Sequence, residues 1–436
     1  MDESPGEEHL AFTKWAILKG IEINGVAPAR FPGRRLGMIA TKTIEEGEIM
    51  LTVPQTAMLS IDSIPSAFVD LFPKDTSIHG ILAAYLTHGD ARLLKDIDAW
   101  RNVWPSWQEL EDSTPILWPS HLRRSNSVFE EGQDSSLTPS LLPPSVSGLW
   151  NSFEKVPVDI DYDTRYQNML AQEEKRLRNA WEQVLSVFPQ TEWKMFAYYW
   201  LIINSRSFYY ISPGKGEPKD WNDAIAMVPY ADYFNHEDNA ACEVRFDHID
   251  YTFRATKRYE KGSEVYMSYG AHSNDFLFVE YTVDGFFLDK NESDSIFLDN
   301  IIFQDLTATE KQELVHQGCY GNFEVTETGV AASIETAACL KYMSKREFRI
   351  YIEGRSKRAF DAEKSAEVIQ GWIRVYLEEC ERTMEIIESL LEKLGGSRRR
   401  SDRERWEKGR LEMLLSRWDQ IKKICEKAAN TVGQGE

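Results

Sequence analysis

Residues 227–239 read MVPYADYFNHEDN, and residues 264–276 read EVYMSYGAHSNDF. The first block is an apolar, aromatic run that ends at the polar pair Asn235-His236. The second is a short alternating stretch that ends at Tyr269-Gly270. A single loop histidine is usually a capping residue, and a tyrosine at a strand end usually packs. An amide beside an imidazole, however, supplies donors and acceptors that suit the edge of an adenine and the polar parts of a nucleoside. The two blocks therefore predict a small-molecule site.

The bulk composition indicates a globular chain with more than one domain. At 436 residues, with 42% hydrophobic and 12% aromatic residues, the chain exceeds one ordinary core and can fill two or three. The net charge of −20, from 70 acidic and 50 basic residues, argues against direct nucleic-acid binding. It fits a basic, Lys-containing protein segment as partner, although solubility alone explains the charge equally well.

The cysteines and the chain start exclude several classes of protein. The five cysteines form no C-x-x-C pair, so we expect neither a disulfide framework nor a metal site; they are Cys242, Cys319, Cys339, Cys380 and Cys425. The start, MDESPGEEHLAFTKW, lacks an apolar signal core, and no apolar run is long enough to span a membrane. We therefore expect a protein of the nucleus, the cytoplasm or both, without membrane contact. We also expect it to be a monomer.

Hydrophobic periodicity gives a coarse map of the elements. Alternation predicts strands at 38–40, 49–53, 226–228, 242–247, 251–255 and 264–267, the first two forming a hairpin around Glu46-Gly47. Helical spacing predicts helices at 9–24, 164–187, 193–205, 307–317, 331–345, 362–394 and 403–428. We expect no strands after about residue 295.

Three further motifs accompany the quoted blocks. The opening hairpin carries glycine-bearing turns, in which backbone can approach a ligand closely. Its pattern consists of Gly33, Gly37, Ala40, Ile44, Gly47, Glu48 and Ile49. Ser205-Arg206 ends a buried helix, where an arginine is by default a helix-end charge and is also a natural carboxylate partner. Ser273-Asn274 starts an apolar helix containing Tyr281, which alone is a capping signal.

In this order the motifs resemble the SET-domain methyltransferases, specifically their Rubisco large-subunit methyltransferase-like group, of the fungal ribosomal-lysine type. The resemblance implies an α+β chain with a SET β-fold at 9–290, a threaded, pseudoknot-like core and a helical insertion at about 80–200. It also implies an all-α substrate-binding domain at 295–436.

The resemblance further implies roles for individual residues. S-adenosylmethionine would be held by Leu36, Gly37, Arg206, Asn235, His236 and Tyr281. Tyr269 would align the amine of the substrate, and Asp232 would lie near the substrate lysine. The expected activity is S-adenosylmethionine-dependent methylation of a lysine in a non-histone protein, and ribosomal proteins are among the substrates that the resemblance implies.

Two departures from the family pattern keep alternatives open. Arg35-Leu36-Gly37 stands where the family usually has Gly-x-Gly, and Thr282-Val283-Asp284 interrupts its usual Tyr-Gly-Phe. A SET fold without activity, acting as a protein-binding module, is therefore one alternative. Protein-histidine N-methylation is the other, since the cofactor motifs do not separate the two targets.

Overall fold

A computed structural model describes residues 4–31, 36–124, 139–154, 160–216, 221–281, 288, 290–395 and 401–432. The chain divides into two compact units. The first contains Met1–Thr114, Glu173–Ala271 and Glu280–Gly285, and the second contains Pro115–Gln172, His272–Val279 and Phe286–Glu436. The expected domains, 9–290 and 295–436, follow chain order and stay a prediction. Gly33, Arg35 and Thr282-Val283-Asp284 lie outside the described residues.

The strands are all short, and none exceeds six residues within the described chain. They are β1 (Glu22–Ile23), β2 (Val26–Arg30), β3 (Leu36–Ala40), β4 (Ile49–Pro54), β5 (Leu59–Ser60), β6 (Ser207–Tyr209), β7 (Ile225–Met227), β8 (Asn235–His236), β9 (Cys242–Phe246), β10 (Asp250–Ala255), β11 (Glu264–Met267), β12 (Ser295–Phe297), β13 (Glu324–Thr326) and β14 (Gly329–Val330).

The helices range from single turns to two long rods. They are α1 (Glu7–Leu18), α2 (Ser66–Val69), α3 (Ile78–His88), α4 (Ala91–Lys95), α5 (Asp98–Arg101), α6 (Trp107–Ser113), α7 (Ser120–Arg123), α8 (Pro144–Ser147), α9 (Met169–Val187), α10 (Trp193–Arg206), α11 (Asn274–Phe276), α12 (Asp299–Asp305), α13 (Ala308–His316), α14 (Ala332–Cys339), α15 (Lys345–Ile352), α16 (Ala362–Gly395) and α17 (Asp402–Thr431).

The first unit contains three small sheets among the described strands, with orders β1-β4-β10-β9, β2-β3-β11-β8 and β5-β7-β6. In the second of these, β11 lies between β3, which it pairs antiparallel, and β8, which it pairs parallel. The parallel register sets Tyr266 opposite Asn235 and Met267 opposite His236. This pairing brings the two blocks quoted above to one sheet edge.

The expected hairpin between residues 38–40 and 49–53 was wrong. Both strands exist, but β3 pairs with β2 and β11, whereas β4 pairs with β1 and β10. Alternation identifies a half-buried strand but carries no information about its partner.

An aromatic cluster fixes the N-terminal helix on the first unit. Phe12 of α1 stacks on Trp100 with a centroid distance of 6.4 Å, and it contacts the rings of Tyr230 and Tyr233 at 5.9 and 5.8 Å. Phe12 and Trp100 are almost completely buried. Aromatic pairs of this kind contribute about 0.5–1.5 kcal/mol each beyond their buried area. Helix α1 is therefore held directly beside the segment that precedes β8.

The second unit is mainly helical, with α16 packed along α17. Its core contains an ion cluster in which Arg417, 0% exposed, donates to Asp275 at 2.7 Å and to Asp294 at 2.5 and 3.0 Å. It also contains the sheet β12-β13-β14, so the expectation of an all-α C-terminal domain without strands was wrong. Strands of two or three residues are too short to show a period.

Two expected absences can be compared with the described residues. Across the described ranges, no helix combines the length and apolar character that crossing a membrane requires. The same residues contain no cluster of three metal-ligating side chains, and all five cysteines are free thiols.

Candidate functional site

A cavity of about 850 Å³ opens in the first unit, at the edge where β8 and β11 pair. Its volume falls within the range of pockets that bind cofactors and drug-sized ligands. Six of the eight predicted site residues line it: Leu36, Arg206, Asp232, Asn235, Tyr269 and Tyr281. The other two, Gly37 and His236, follow Leu36 and Asn235 in their strands.

The wall formed by β3, β11 and β8 is tied together by one side chain. The Asn235 amide donates to the Leu36 carbonyl at 3.1 Å and to Glu264 Oε1 at 2.8 Å. Its neighbour Gly37 leaves no room for a side chain, because a Cβ there would lie 2.6 Å from Glu264 Oε1 and 2.7 Å from Asn235 Nδ2. The side chains of Glu264 and Asn235 therefore fill the space behind Leu36 that a larger residue than glycine would need.

His236 supports Tyr269 from behind. The imidazole is 4% exposed, and its Nδ1 accepts a hydrogen bond from the Tyr269 backbone N–H at 3.0 Å. The Tyr269 hydroxyl donates to the Phe234 carbonyl at 2.7 Å, and its ring lies 5.1 Å from that of Tyr281. Backbone and side chain of Tyr269 are thus both fixed by the segment 234–236, which holds the ring at the cavity surface.

Arg206, at the end of α10, pairs with Asp232 inside the cavity. Its Nη1 lies 3.3 Å from Asp232 Oδ2 and 3.4 Å from the Asp232 carbonyl. The Asp232 side chain is only 6% exposed, and burial raises the pKa of this carboxyl although Arg206 opposes the shift. A guanidinium has five N–H donors, so Arg206 can hold Asp232 and still bind a carboxylate of a ligand.

Tyr281 is anchored through the residue before it. Leu277–Tyr281 forms a π-helical turn, a feature often found at functional sites. Arg176 donates to both carboxylate oxygens of Glu280 at 2.5 and 2.7 Å, and Asn204 donates to the same carboxylate at 3.1 Å. Since Asn204 lies two residues before Arg206, one ion cluster positions both edges of the cavity.

The ion cluster also includes a buried carboxyl group, that of Glu173. Glu173 is completely buried, and burial, together with the nearby Glu280 carboxylate, raises its pKa well above the usual range. Sequence reasoning missed Arg176, Glu173 and Glu280. Glu173 and Arg176 both lie in α9, but Glu280 is 104 positions after Arg176, and no motif connects it to them.

The cavity also contains residues that no motif indicated. Three of them are acidic, imidazole or phenol groups near the start of the chain and before β8: Glu8, His9 and Tyr233. Four more ring side chains line the cavity: Tyr209, Phe246, His248 and Tyr251. The aromatic run YADYF was the one signal for Tyr233, whereas His9 had none.

The lining suits a nucleoside-sized ligand that carries both a carboxylate and a reactive group. Arg206 offers a cation for the carboxylate, and Leu36 of β3 lines the cavity as well. Tyr269 and Tyr281 place two aromatic rings around the centre of the cavity. The position of Arg206 in the same cavity as these two rings is the observation that fits S-adenosylmethionine best, since that cofactor carries a carboxylate on a nucleoside.

Comparison with known proteins confirms the predicted family. A family profile described as SET domain matches residues 35–270, which is more than half of the chain. SET domain-containing protein 4 of Homo sapiens is 24% identical over 324 residues, covering 72% of this chain and 66% of that protein. Ribosomal lysine N-methyltransferase set11 of Schizosaccharomyces pombe is 32% identical over 136 residues, covering 31% of this chain and 34% of that protein.

Two more comparisons extend the likeness along the chain. Ribosomal lysine N-methyltransferase 2 of Saccharomyces cerevisiae is 26% identical over 317 residues, 67% of this chain and 62% of that protein. These matches span less than two thirds of the relatives' own length. Rubisco LSMT bound to AdoMet has the same fold, with a TM-score of 0.55 at 14% identity over 98% of this chain and 94% of that chain. The α+β fold is thus confirmed, and the roles of single residues stay predictions.

Proposed function

This chain belongs to the SET-domain family, and from that premise we propose that it is an S-adenosylmethionine-dependent protein-lysine N-methyltransferase. The observation that carries the proposal is the cavity: six residues predicted from separate motifs line it, and the remaining two stand directly behind its wall. Relatives named ribosomal lysine N-methyltransferases support the same activity.

The chain's own residues would hold the cofactor by its two polar ends. Arg206 would bind the carboxylate of the amino-acid part, while Leu36, Asn235 and the backbone at Gly37 would contact the nucleoside. When bound, the cofactor supplies an electrophilic methyl group on a positively charged sulfur. The Tyr281 ring, half-buried and 5.1 Å from that of Tyr269, would cover the ligand from one side.

The protein must then orient the lysine amine and let it lose a proton. A free lysine amine has a pKa of about 10.4, so it is an ammonium in water at neutral pH. A confined site with few waters disfavours that charge and lowers the pKa of the amine. The Tyr269 hydroxyl, fixed on the Phe234 carbonyl at 2.7 Å, would align the nitrogen lone pair with the methyl carbon. Alignment of this kind can supply much of the rate acceleration.

We propose a ribosomal protein as the substrate. Two relatives carry the words ribosomal lysine N-methyltransferase in their names, and the net charge of −20 favours association with a basic protein. Asp232 would contribute a carboxyl group near the substrate lysine.

The test is transfer of labelled methyl from S-adenosylmethionine to purified ribosomal proteins, followed by identification of the modified residue. A methylated lysine supports the proposal, whereas a methylated histidine would replace it with histidine methylation. Calorimetry with S-adenosylmethionine supplies the second readout. No detectable binding would indicate a SET fold that serves as a protein-binding module.

The matched variants are Arg206→Met and Arg245→Met. Arg206→Met removes a charged hydrogen bond worth about 1.5–3 kcal/mol, so the Kd for S-adenosylmethionine should rise roughly tenfold to a hundredfold. Arg245 is 73% exposed and does not line the cavity, so its replacement should leave the Kd unchanged. If both variants bind S-adenosylmethionine with equal affinity, Arg206 does not contact the cofactor.

A further inference from the structure

Helix α1 brings a buried histidine to the wall of the cavity. His9 is 6% exposed, and its Nδ1 lies 2.7 Å from the hydroxyl of Tyr233, which is also 6% exposed. Its other ring nitrogen, Nε2, lies 3.5 Å from Glu8 Oε1. The Glu8 side chain is 46% exposed. A phenol, an imidazole and a carboxylate thus form a row along the lining of the cavity, and the row ends at the solvent-exposed side chain of Glu8.

The protonation state of His9 suits a group that passes protons. Burial lowers the pKa of His9, Arg30 lowers it further, and the neighbouring carboxylate of Glu8 opposes them. The imidazole is therefore neutral at neutral pH. A neutral imidazole has one nitrogen that accepts a proton and one that donates a proton.

The Tyr233 hydroxyl stays a phenol. Burial raises the pKa of Tyr233 well above its usual value, the negative charge of Asp232 and the phenol of Tyr230 add to the shift, and Arg206 opposes it. A phenol can accept a proton on its oxygen while it gives its own proton to a partner. Tyr233 also precedes Phe234, whose carbonyl accepts the hydrogen bond of Tyr269, and Tyr233 and Tyr269 both line the same cavity.

Methyl transfer to an ammonium group must release one proton per turnover, and the structure offers a route for it. We propose that Tyr233, His9 and Glu8 form a proton relay from the cavity to solvent, a proposal that rests on the proposed methyltransferase function. An N–H bond of the substrate ammonium breaks, and that proton reaches the Tyr233 oxygen, directly or through one water. The Tyr233 hydroxyl gives its proton to His9 Nδ1, and His9 Nε2 gives its proton to Glu8.

Glu8 then releases the proton to solvent, and exchange with water returns His9 to its starting tautomer. Each of the three groups ends with the number of protons it had before. His9 takes the proton from Tyr233 and not from the substrate itself. It is therefore a positioning residue and not a catalytic residue. No oxidant, metal or second substrate is needed.

The experiment compares Tyr233→Phe with Tyr230→Phe. Both changes delete one buried hydroxyl from the same aromatic cluster, but the Tyr230 hydroxyl contacts Thr13 at 3.4 Å and does not line the cavity. Initial rates of labelled methyl transfer are measured from pH 6.5 to 9.5 at saturating substrate. We expect kcat of Tyr233→Phe to fall roughly tenfold to a hundredfold at neutral pH, in the range of general acid–base contributions.

The pH profile distinguishes a relay from a structural role. As pH rises towards the amine pKa of about 10.4, the substrate arrives already deprotonated, so the deficit of Tyr233→Phe should shrink. A deficit of constant size across the pH range, or one shared by Tyr230→Phe, would overturn the relay. The KM for S-adenosylmethionine should stay unchanged, because the relay does not hold the cofactor.

His9→Gln is the second variant. Glutamine keeps a hydrogen-bonding group beside Tyr233 but cannot pass a proton between two ring nitrogens. We expect the same pH-dependent loss of kcat, with a melting temperature close to that of the wild type. Wild-type rates in His9→Gln would overturn the proposal. Absence of methyl transfer by the wild-type protein would instead refute the proposed function, so the two failures are distinguishable.

Discussion

Replacing Gly37 with alanine adds one methyl group behind the cavity wall, where β3, β11 and β8 meet. The added Cβ would lie 2.6 Å from Glu264 Oε1, 2.7 Å from Asn235 Nδ2 and 3.0 Å from Phe31 Cε2. Carbon atoms do not approach oxygen or nitrogen atoms so closely, so the three side chains must move. The added methyl group would collide with both partners of the 2.8 Å hydrogen bond between Asn235 and Glu264.

The cost follows from these contacts. Loss of a hydrogen bond to a charged group costs about 1.5–3 kcal/mol, and overpacking of a tight site costs about 1–3 kcal/mol. Some of this cost lowers the free energy of unfolding. The rest of the strain is relieved by a displacement of Leu36 and Asn235. The Kd for S-adenosylmethionine should therefore rise roughly tenfold or more. Calorimetry measures the Kd, and urea denaturation measures the free energy of unfolding.

Gly371→Ala is the matched control. Gly371 lies inside α16, and a Cβ there would meet no atom within 4 Å. This replacement should stabilise the chain by about 0.5–1 kcal/mol, because alanine favours the helix. It should leave cofactor affinity unchanged. An unchanged Kd and stability for Gly37→Ala would refute the close approach of the three strands.

Three further predictions concern Tyr269, Glu173 and Arg417. Tyr269→Phe should lower kcat of methyl transfer roughly tenfold or more, because alignment of the amine is lost, and should change the calorimetric Kd for the cofactor little. Glu173→Gln should be more stable than the wild type in urea at pH 8 and closer to it at pH 5. Burial raises the pKa of Glu173, so the folded wild type keeps a proton that the unfolded chain releases, and its stability falls as pH rises. Arg417→Met should lower the free energy of unfolding by about 3–5 kcal/mol, because Asp275 and Asp294 remain buried without their cation.

Each of these predictions has a contradicting outcome. If Tyr269→Phe turns over at the wild-type rate, the Tyr269 hydroxyl does not align the amine. A stability difference between Glu173→Gln and the wild type that does not change with pH would mean that Glu173 is ionised in the folded chain. For Arg417→Met the control is Arg403→Met, an exposed position in the same helix, which should change stability by less than about 0.5 kcal/mol. Equal effects of the two arginine variants would contradict the buried cluster.

The elements that the sequence predicted well are those with a clear local period. The strand at 264–267 and the helices at 193–205 and 362–394 agree with β11, α10 and α16 to within a residue at either end. Pairing was harder, because the alternation in β3 and β4 does not identify their partners. The strands β12 to β14 were missed, since two or three residues cannot show a period.

The site was predictable where its residues stand in a short, continuous sequence motif. Asn235-His236 and Tyr269 stand in recognisable blocks, and the structure brings them into contact through a hydrogen bond of 3.0 Å. The residues that support the site do not stand in any such motif. His9 meets Tyr233 across 224 positions, and Arg176 meets Glu280 across 104. Only the folded chain brings such pairs together, so sequence reasoning could not find the relay or the anchor of Tyr281.

The buried cluster of Arg417 also has a consequence for synthesis. Arg417 follows Asp275 by 142 residues and Asp294 by 123. At roughly 5–20 residues per second, a ribosome needs on the order of 7–30 s to make the stretch between Asp275 and its cation. During that interval the carboxylates of Asp275 and Asp294, which are buried in the folded chain, have no counter-charge and must stay hydrated. The nascent second unit therefore cannot close until its last helix emerges, and it remains open to chaperones and proteases for that long.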